Sequence, residues 1–161
     1  MLTQILWIAL AAAVLHVLEE VWAGFLAWYR TVLPRFGFAV NIPWFTAVNT
    51  LMVSYGLLAV NWHHGPMVIR LGFPALLLIN ALIHLSIAFY RRGYNPGLLT
   101  AILLYLPISF FSVRAAVLQG ASQETILFAF LVGIGVHALL PVSLLISQRL
   151  SLSTASDRGN G

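Results

Sequence analysis

The sequence predicts an all-α fold: a polytopic membrane bundle of five transmembrane helices, N-terminus outside and C-terminus cytoplasmic. Three observations predict it. Of 161 residues, 61% are hydrophobic and 7% charged, with a mean hydropathy of +0.96, whereas a soluble domain carries about 25% charged residues. Five apolar runs approach the ~20 residues that cross a bilayer. The arginines gather after alternate runs. Twelve charges, eight of them arginine and none lysine, cannot cover a soluble globule, so a soluble enzyme and a disordered chain are excluded. No cluster of arginines exceeds two, which argues against nucleic acid as a partner. Without cysteine there is no disulfide, thiolate nucleophile or zinc–thiolate site.

The spans are expected at Ile5–Tyr29, Ile42–Trp62, Met67–Tyr90, Leu98–Leu118 and Thr125–Ser147. Turn residues separate them: Pro34 and Gly37, then His63-His64-Gly65-Pro66, then Gly93-Tyr94-Asn95-Pro96-Gly97, then Gln119-Gly120. Residues 1–147 read as a single membrane domain. Residues 148–161, polar and rich in Ser and Gly, read as a disordered cytoplasmic tail. The first run has no basic leader and contains two glutamates, so it is expected to stay in the mature chain. Arg30, Arg35, Arg91, Arg92, Arg149 and Arg158 follow runs one, three and five; only Arg70 and Arg114 lie toward the other side, which sets the orientation. Arginine without lysine points to a bacterial source and its cytoplasmic membrane.

Ionisable groups inside the spans carry the functional expectation, because a charge at mid-membrane costs about 2.5–3.5 kcal/mol on insertion scales. Run one holds His16, Glu19 and Glu20. At 100° per residue they share one face with Ala9, Ala12, Ala23 and Ala27, while Leu10, Val14, Val17 and Phe25 lie opposite. Run three offers Asn80 and His84 one turn apart, with Arg91 on the same face. Run five offers His137 between Gly133 and Pro141, and runs two and four offer Asn49 and Tyr105. Measured from the flanking arginines along uninterrupted helices, Glu20 lies ~15 Å deep, Asn80 ~16 Å and His137 ~18 Å. One polar pocket inside the bundle is expected.

A carboxylate and an imidazole held together away from water can act as an acid/base pair near neutral pH. His16, Glu19, Glu20 and His84 are the candidate catalytic residues. Asn49, Asn80, Arg91, Tyr94, Tyr105 and His137 are candidates for substrate binding or support. The set could equally hold a divalent metal, zinc or iron, through His16, Glu20, His84 and His137. The spacing is not that of the His-Glu-x-x-His zinc helix.

Three segments resemble the HXXEE-domain family of small membrane proteins. His16-Val17-Leu18-Glu19-Glu20 matches its naming motif, Asn80-Ala81-Leu82-Ile83-His84 an Asn-Ala-x-x-His motif, and Tyr94-Asn95-Pro96-Gly97 a Tyr-x-Pro-Gly motif. The resemblance implies a membrane enzyme family with no assigned reaction, and it supports the site residues more than any chemistry.

The functional expectation is therefore a membrane-embedded enzyme acting on a lipophilic small molecule, with membrane lipid as its surroundings. Isomerisation, cyclisation or hydrolysis would suit the groups. The alternative is a proton-coupled transporter or proton relay. Five helices without an inverted repeat are unusual for alternating access, though a homodimer could supply the symmetry.

Overall fold

The computed structural model describes residues 1–32 and 40–159, with side chains described through 139 and at 142, 143 and 146. Pro34, Arg35 and Gly37 lie outside the described residues, as do the side chains of Pro141, Arg149 and Arg158. All described regular structure is helical: α1 (Leu2–Trp22), α2 (Phe25–Val32), α3 (Ile42–Asn61), α4 (Met67–Arg91), α5 (Leu98–Leu118) and α6 (Gln123–Gly159).

Four of these, α1, α3, α4 and α5, are long and apolar enough to cross a membrane, rather than the five expected. The described apolar stretch of α6, Gln123–Leu139, is shorter than a span needs. The α6 backbone does not stop at residue 147, however. It is helical to Gly159.

The first apolar run is also divided. Gly24 adopts a left-handed φ of +73°, which turns the chain after Trp22 and starts α2 in a new direction. Depth measured from Arg30 along one straight helix therefore fails. Glu19 and Glu20 sit in the last turn of α1, at one end of the bundle. The facial phase survives only within α1. Ala9 and Ala12 are buried with His16 and Glu20, yet Leu10 is buried too, and Phe25 packs inward from α2.

Helix α4 is central, with its longest interface against α6 and further packing on α3 and α5. Gly133 permits the α6 contact: a Cβ there would stand 2.9 Å from the backbone of Ala75 and Leu76. Helices α1 and α4 run parallel. At one end buried Arg70 donates to Thr3 Oγ1 (2.7 Å) and to the His63 carbonyl (3.2 Å); at the other His84 meets His16 and Glu20. The core between them contains Leu6, Ala13, Phe73, Leu77 and Tyr105. Large apolar side chains such as Trp7, Leu51, Phe89 and Phe110 cover the outside, as a lipid-facing surface requires.

Helix α5 contains one π-helical stretch, Ala101–Tyr105, in which the Leu106 N–H reaches back to the Ala101 carbonyl. Pro107 follows directly and has no N–H for the Leu103 carbonyl, so the helix widens locally. Tyr105, in this widened turn, lies fully buried against the His16 ring.

Candidate functional site

His84 is fixed by the loop that follows its own helix. Helix α4 ends where Arg92 adopts φ +53° and the Gly93 N–H closes back on the Ala88 carbonyl at 3.1 Å, a Schellman-type stop. The chain then doubles back and buries Asn95 beside His84. The Asn95 amide nitrogen donates to the His84 carbonyl (2.9 Å), which leaves its oxygen 2.6 Å from His84 Nδ1. The amide orientation is thus set by the backbone. His84 must carry a proton on Nδ1, which leaves Nε2 pointing away from Asn95.

His16 is held in the same way by Thr100. Its Nδ1 lies 2.8 Å from Thr100 Oγ1. The Thr100 hydroxyl proton has acceptors only, Glu19 Oε2 at 2.6 Å and the Gly97 carbonyl at 3.2 Å, so the hydroxyl oxygen accepts from His16 Nδ1–H. His16 Nε2 is then left on the side of Glu20. It is buried and has no hydrogen-bond partner among the described residues.

Both Nε2 atoms face Glu20. Its Oε1 stands 3.6 Å from His16 Nε2 and 3.7 Å from His84 Nε2, too far for hydrogen bonds. All three residues are at most 6% exposed, and one ligand atom from each lies within 4.8 Å of the other two. Gly97 allows this closeness. Its φ is +94°, and a Cβ there would come within 2.7 Å of Cε1 on both imidazoles. The 97th position must therefore be glycine for two independent reasons.

Glu19 has a different place. Its carboxylate accepts from the Tyr94 hydroxyl (2.8 Å), Leu99 N–H (3.0 Å), Thr100 N–H (2.8 Å) and the Thr100 hydroxyl. It thus satisfies the open N–H groups at the start of α5 and ties α1 to α5. Burial, then the hydrogen bond to Glu19, pushes the Tyr94 phenol up to about 12, so it remains a donor.

Every residue in this constellation falls between His16 and Tyr105. A family model described as "Protein of unknown function with HXXEE motif" matches residues 7–112. The chain belongs to the HXXEE family. No curated protein matches it, and no solved structure does. The HXXEE motif itself supplies His16, Glu19 and Glu20, and the matched stretch also contains Asn80, His84, Asn95, Gly97, Thr100 and Tyr105. His137 lies outside it.

The cluster forms part of the wall of a cavity of about 630 Å³, otherwise lined chiefly by aromatic and aliphatic side chains such as Phe25, Trp44, Met52 and Val136. Asn49, Asn80 and His137 also line it. Asn49 bonds to the Phe45 carbonyl of its own helix at 3.0 Å. Asn80 Oδ1 and the Tyr105 hydroxyl are buried without partners among the described residues. Arg91 is exposed, and its guanidinium lies over the Trp28 ring at 5.7 Å; Trp28 is itself part of the cavity wall.

The structure thus brings together His16, Glu20 and His84, with Tyr105 against His16. It sets Asn49, Asn80 and His137 around the cavity, and gives Glu19 and Tyr94 to the α1–α5 tie. His137 is not among the three clustered ligand atoms. Thr100, Asn95 and Gly97 are the positions against the two imidazoles that helix phase alone does not mark. The signal for the last two was their place in the Tyr94–Gly97 turn; Thr100 gave none beyond its hydroxyl near the start of a span.

Proposed function

We propose that this HXXEE protein is a membrane-embedded enzyme whose His16–Glu20–His84 cluster acts on a lipophilic small molecule held in the adjoining cavity. Acid/base or metal-assisted chemistry is within reach of these groups. The single observation that carries the reading is the position of the buried cluster on the wall of a largely apolar cavity. Its volume is within the ~300–1,000 Å³ range of small-molecule pockets, and the polar atoms of Asn80 and Tyr105, without partners among the described residues, are available to a polar group on the occupant. The arginine distribution supports an orientation with the cluster toward the cytoplasmic side of a bacterial inner membrane.

The test is purification in nanodiscs, organic extraction and mass spectrometry, comparing the native chain with Val136→Trp, which obstructs the cavity, and Glu20→Gln. A lipophilic species enriched with the native chain, lost in Val136→Trp and retained without conversion by Glu20→Gln supports the reading. Equal recovery from the native chain and the blocked variant overturns it. Glu20-dependent proton flux in proteoliposomes, with no bound species, would instead make the protein a transporter.

A further inference from the structure

The geometry points to a mononuclear divalent-metal site at His16 Nε2, His84 Nε2 and Glu20 Oε1, taking a borderline first-row ion such as zinc or iron. This inference deepens the reading above and rests on the same cluster.

Three features carry it. The first is spacing. Metal–ligand bonds of about 2.0–2.2 Å place neighbouring ligands of a tetrahedron about 3.4 Å apart. Glu20 Oε1 stands at 3.6 and 3.7 Å from the two nitrogens, close to that edge and beyond a hydrogen bond. A proton shared within the cluster would draw the atoms nearer.

The second is the protonation pattern imposed from behind. Asn95 Oδ1 accepts from His84 Nδ1 and Thr100 Oγ1 accepts from His16 Nδ1. The oxygen of Thr100 is in turn oriented by Glu19. Imidazoles that ligate a metal through one nitrogen ordinarily donate the other N–H to such an oxygen, which fixes the tautomer and strengthens the ligand. Here both rings are prepared in this sense, by two unrelated devices.

The third is the orphaned donor. His16 Nε2 is enclosed, has no hydrogen-bond partner among the described residues, and stands 3.6 Å from Glu20 Oε1. Buried polar atoms almost always find a partner, and a cation at the centre of the three ligand atoms would serve all of them at once. Two histidines and one carboxylate make a donor set used for zinc and for non-haem iron, with coordination positions left for a ligand. Those positions would be available to an occupant of the cavity. Asn95 and Thr100 are then positioning residues: they touch the imidazoles and not the ion.

Cobalt(II) alone is the probe. Titrated into the chelator-treated, detergent-solubilised chain, it is expected to bind at a single equivalent and give visible ligand-field bands. His84→Ala and Glu20→Gln should abolish them. His64→Ala, at an exposed histidine in the loop before α4, should leave them intact and serves as the control for an imidazole lost away from the cluster. Asn95→Ala should weaken cobalt affinity about 10- to 100-fold while still giving the band, the effect of losing an orienting group. Metal analysis of the protein as purified should find the same stoichiometry. Absence of cobalt binding to monodisperse native chain overturns the inference, as does binding unchanged in Glu20→Gln and His84→Ala. If the lipophilic species is still retained in a protein that binds no metal, the metal site falls and the enzyme reading stands. If metal binds but the cavity retains nothing, the reverse holds.

Discussion

Replacing Gly97 by alanine tests the packing of the site at a single atom. Two effects combine there. A non-glycine residue at φ +94° costs about 1–2 kcal/mol from the backbone alone. The added Cβ would stand 2.7 Å from Cε1 of both His16 and His84, where carbon atoms prefer about 3.5–4.0 Å. Both rings must therefore retreat by roughly 1 Å, and overpacking of this kind costs about 1–3 kcal/mol. The sum is about 2–5 kcal/mol. Gly120 provides the control, with φ +84° and no atom within 4 Å of the place its methyl group would take; Gly120→Ala carries only the backbone part. Unfolding in mixed detergent micelles should rank Gly97→Ala below Gly120→Ala by about 1–3 kcal/mol. Cobalt binding should fail in the first and survive in the second. Equal stability of the two variants would refute the placement of both imidazoles against residue 97.

Three further outcomes follow from the hydrogen bonds. Asn95→Leu leaves the His84 Nδ1–H unpaired in a buried place, a loss of about 1–3 kcal/mol, and nitrogen NMR of labelled histidine should show the Nδ1–H tautomer of His84 giving way to a mixture. Glu19→Ala should destabilise the chain by about 1.5–3 kcal/mol, the range for a charged acceptor, measured by the same micellar unfolding; no loss of stability would remove Glu19 as the tie between α1 and α5. Tyr94 should ionise near 12 in the native chain, seen as a late tyrosinate absorbance step that is missing in Tyr94→Phe. Since the folded phenol holds its proton more tightly than the unfolded one, its contribution to stability is complete below the ordinary tyrosine value and declines as pH rises through 12. A Tyr94 step at the ordinary value would contradict the bond to Glu19.

Much of the site was legible because it depends on helix phase. His16 and Glu20 are one turn apart, as are Asn80 and His84, and a charge has no reason to face lipid, so their gathering follows from periodicity. The length of the helices was legible for the same reason, with α5 at Leu98–Leu118 as expected and α3 and α4 within a residue. What periodicity could not reveal is where a helix stops. Gly24 is one of several glycines in apolar sequence. Gly133 sits undisturbed inside α6, whereas Gly24 breaks the first run; the difference comes from tertiary packing. Treating the run as straight placed the glutamates too far from the helix end and put Phe25 on the wrong face. Asn95 and Thr100 were obscure for another reason: their partners are histidine nitrogens, and which nitrogen needs a partner is decided only once the rings are in place. Glu19 and Glu20 are adjacent and chemically alike, yet a 100° rotation gives one to the backbone of α5 and the other to the two imidazoles.

The connection between α4 and α5 has an implication for how the protein tolerates change in length. Tyr94, Asn95, Gly97 and Thr100 reach Glu19, His84 and His16 within seven consecutive residues. One amino acid inserted after Gly93 would put each of them out of step with its neighbour while leaving every membrane-crossing segment whole. Such a protein would still insert and fold as a bundle but would have lost the arrangement of His16, Glu20 and His84, so this short linker does not tolerate lengthening.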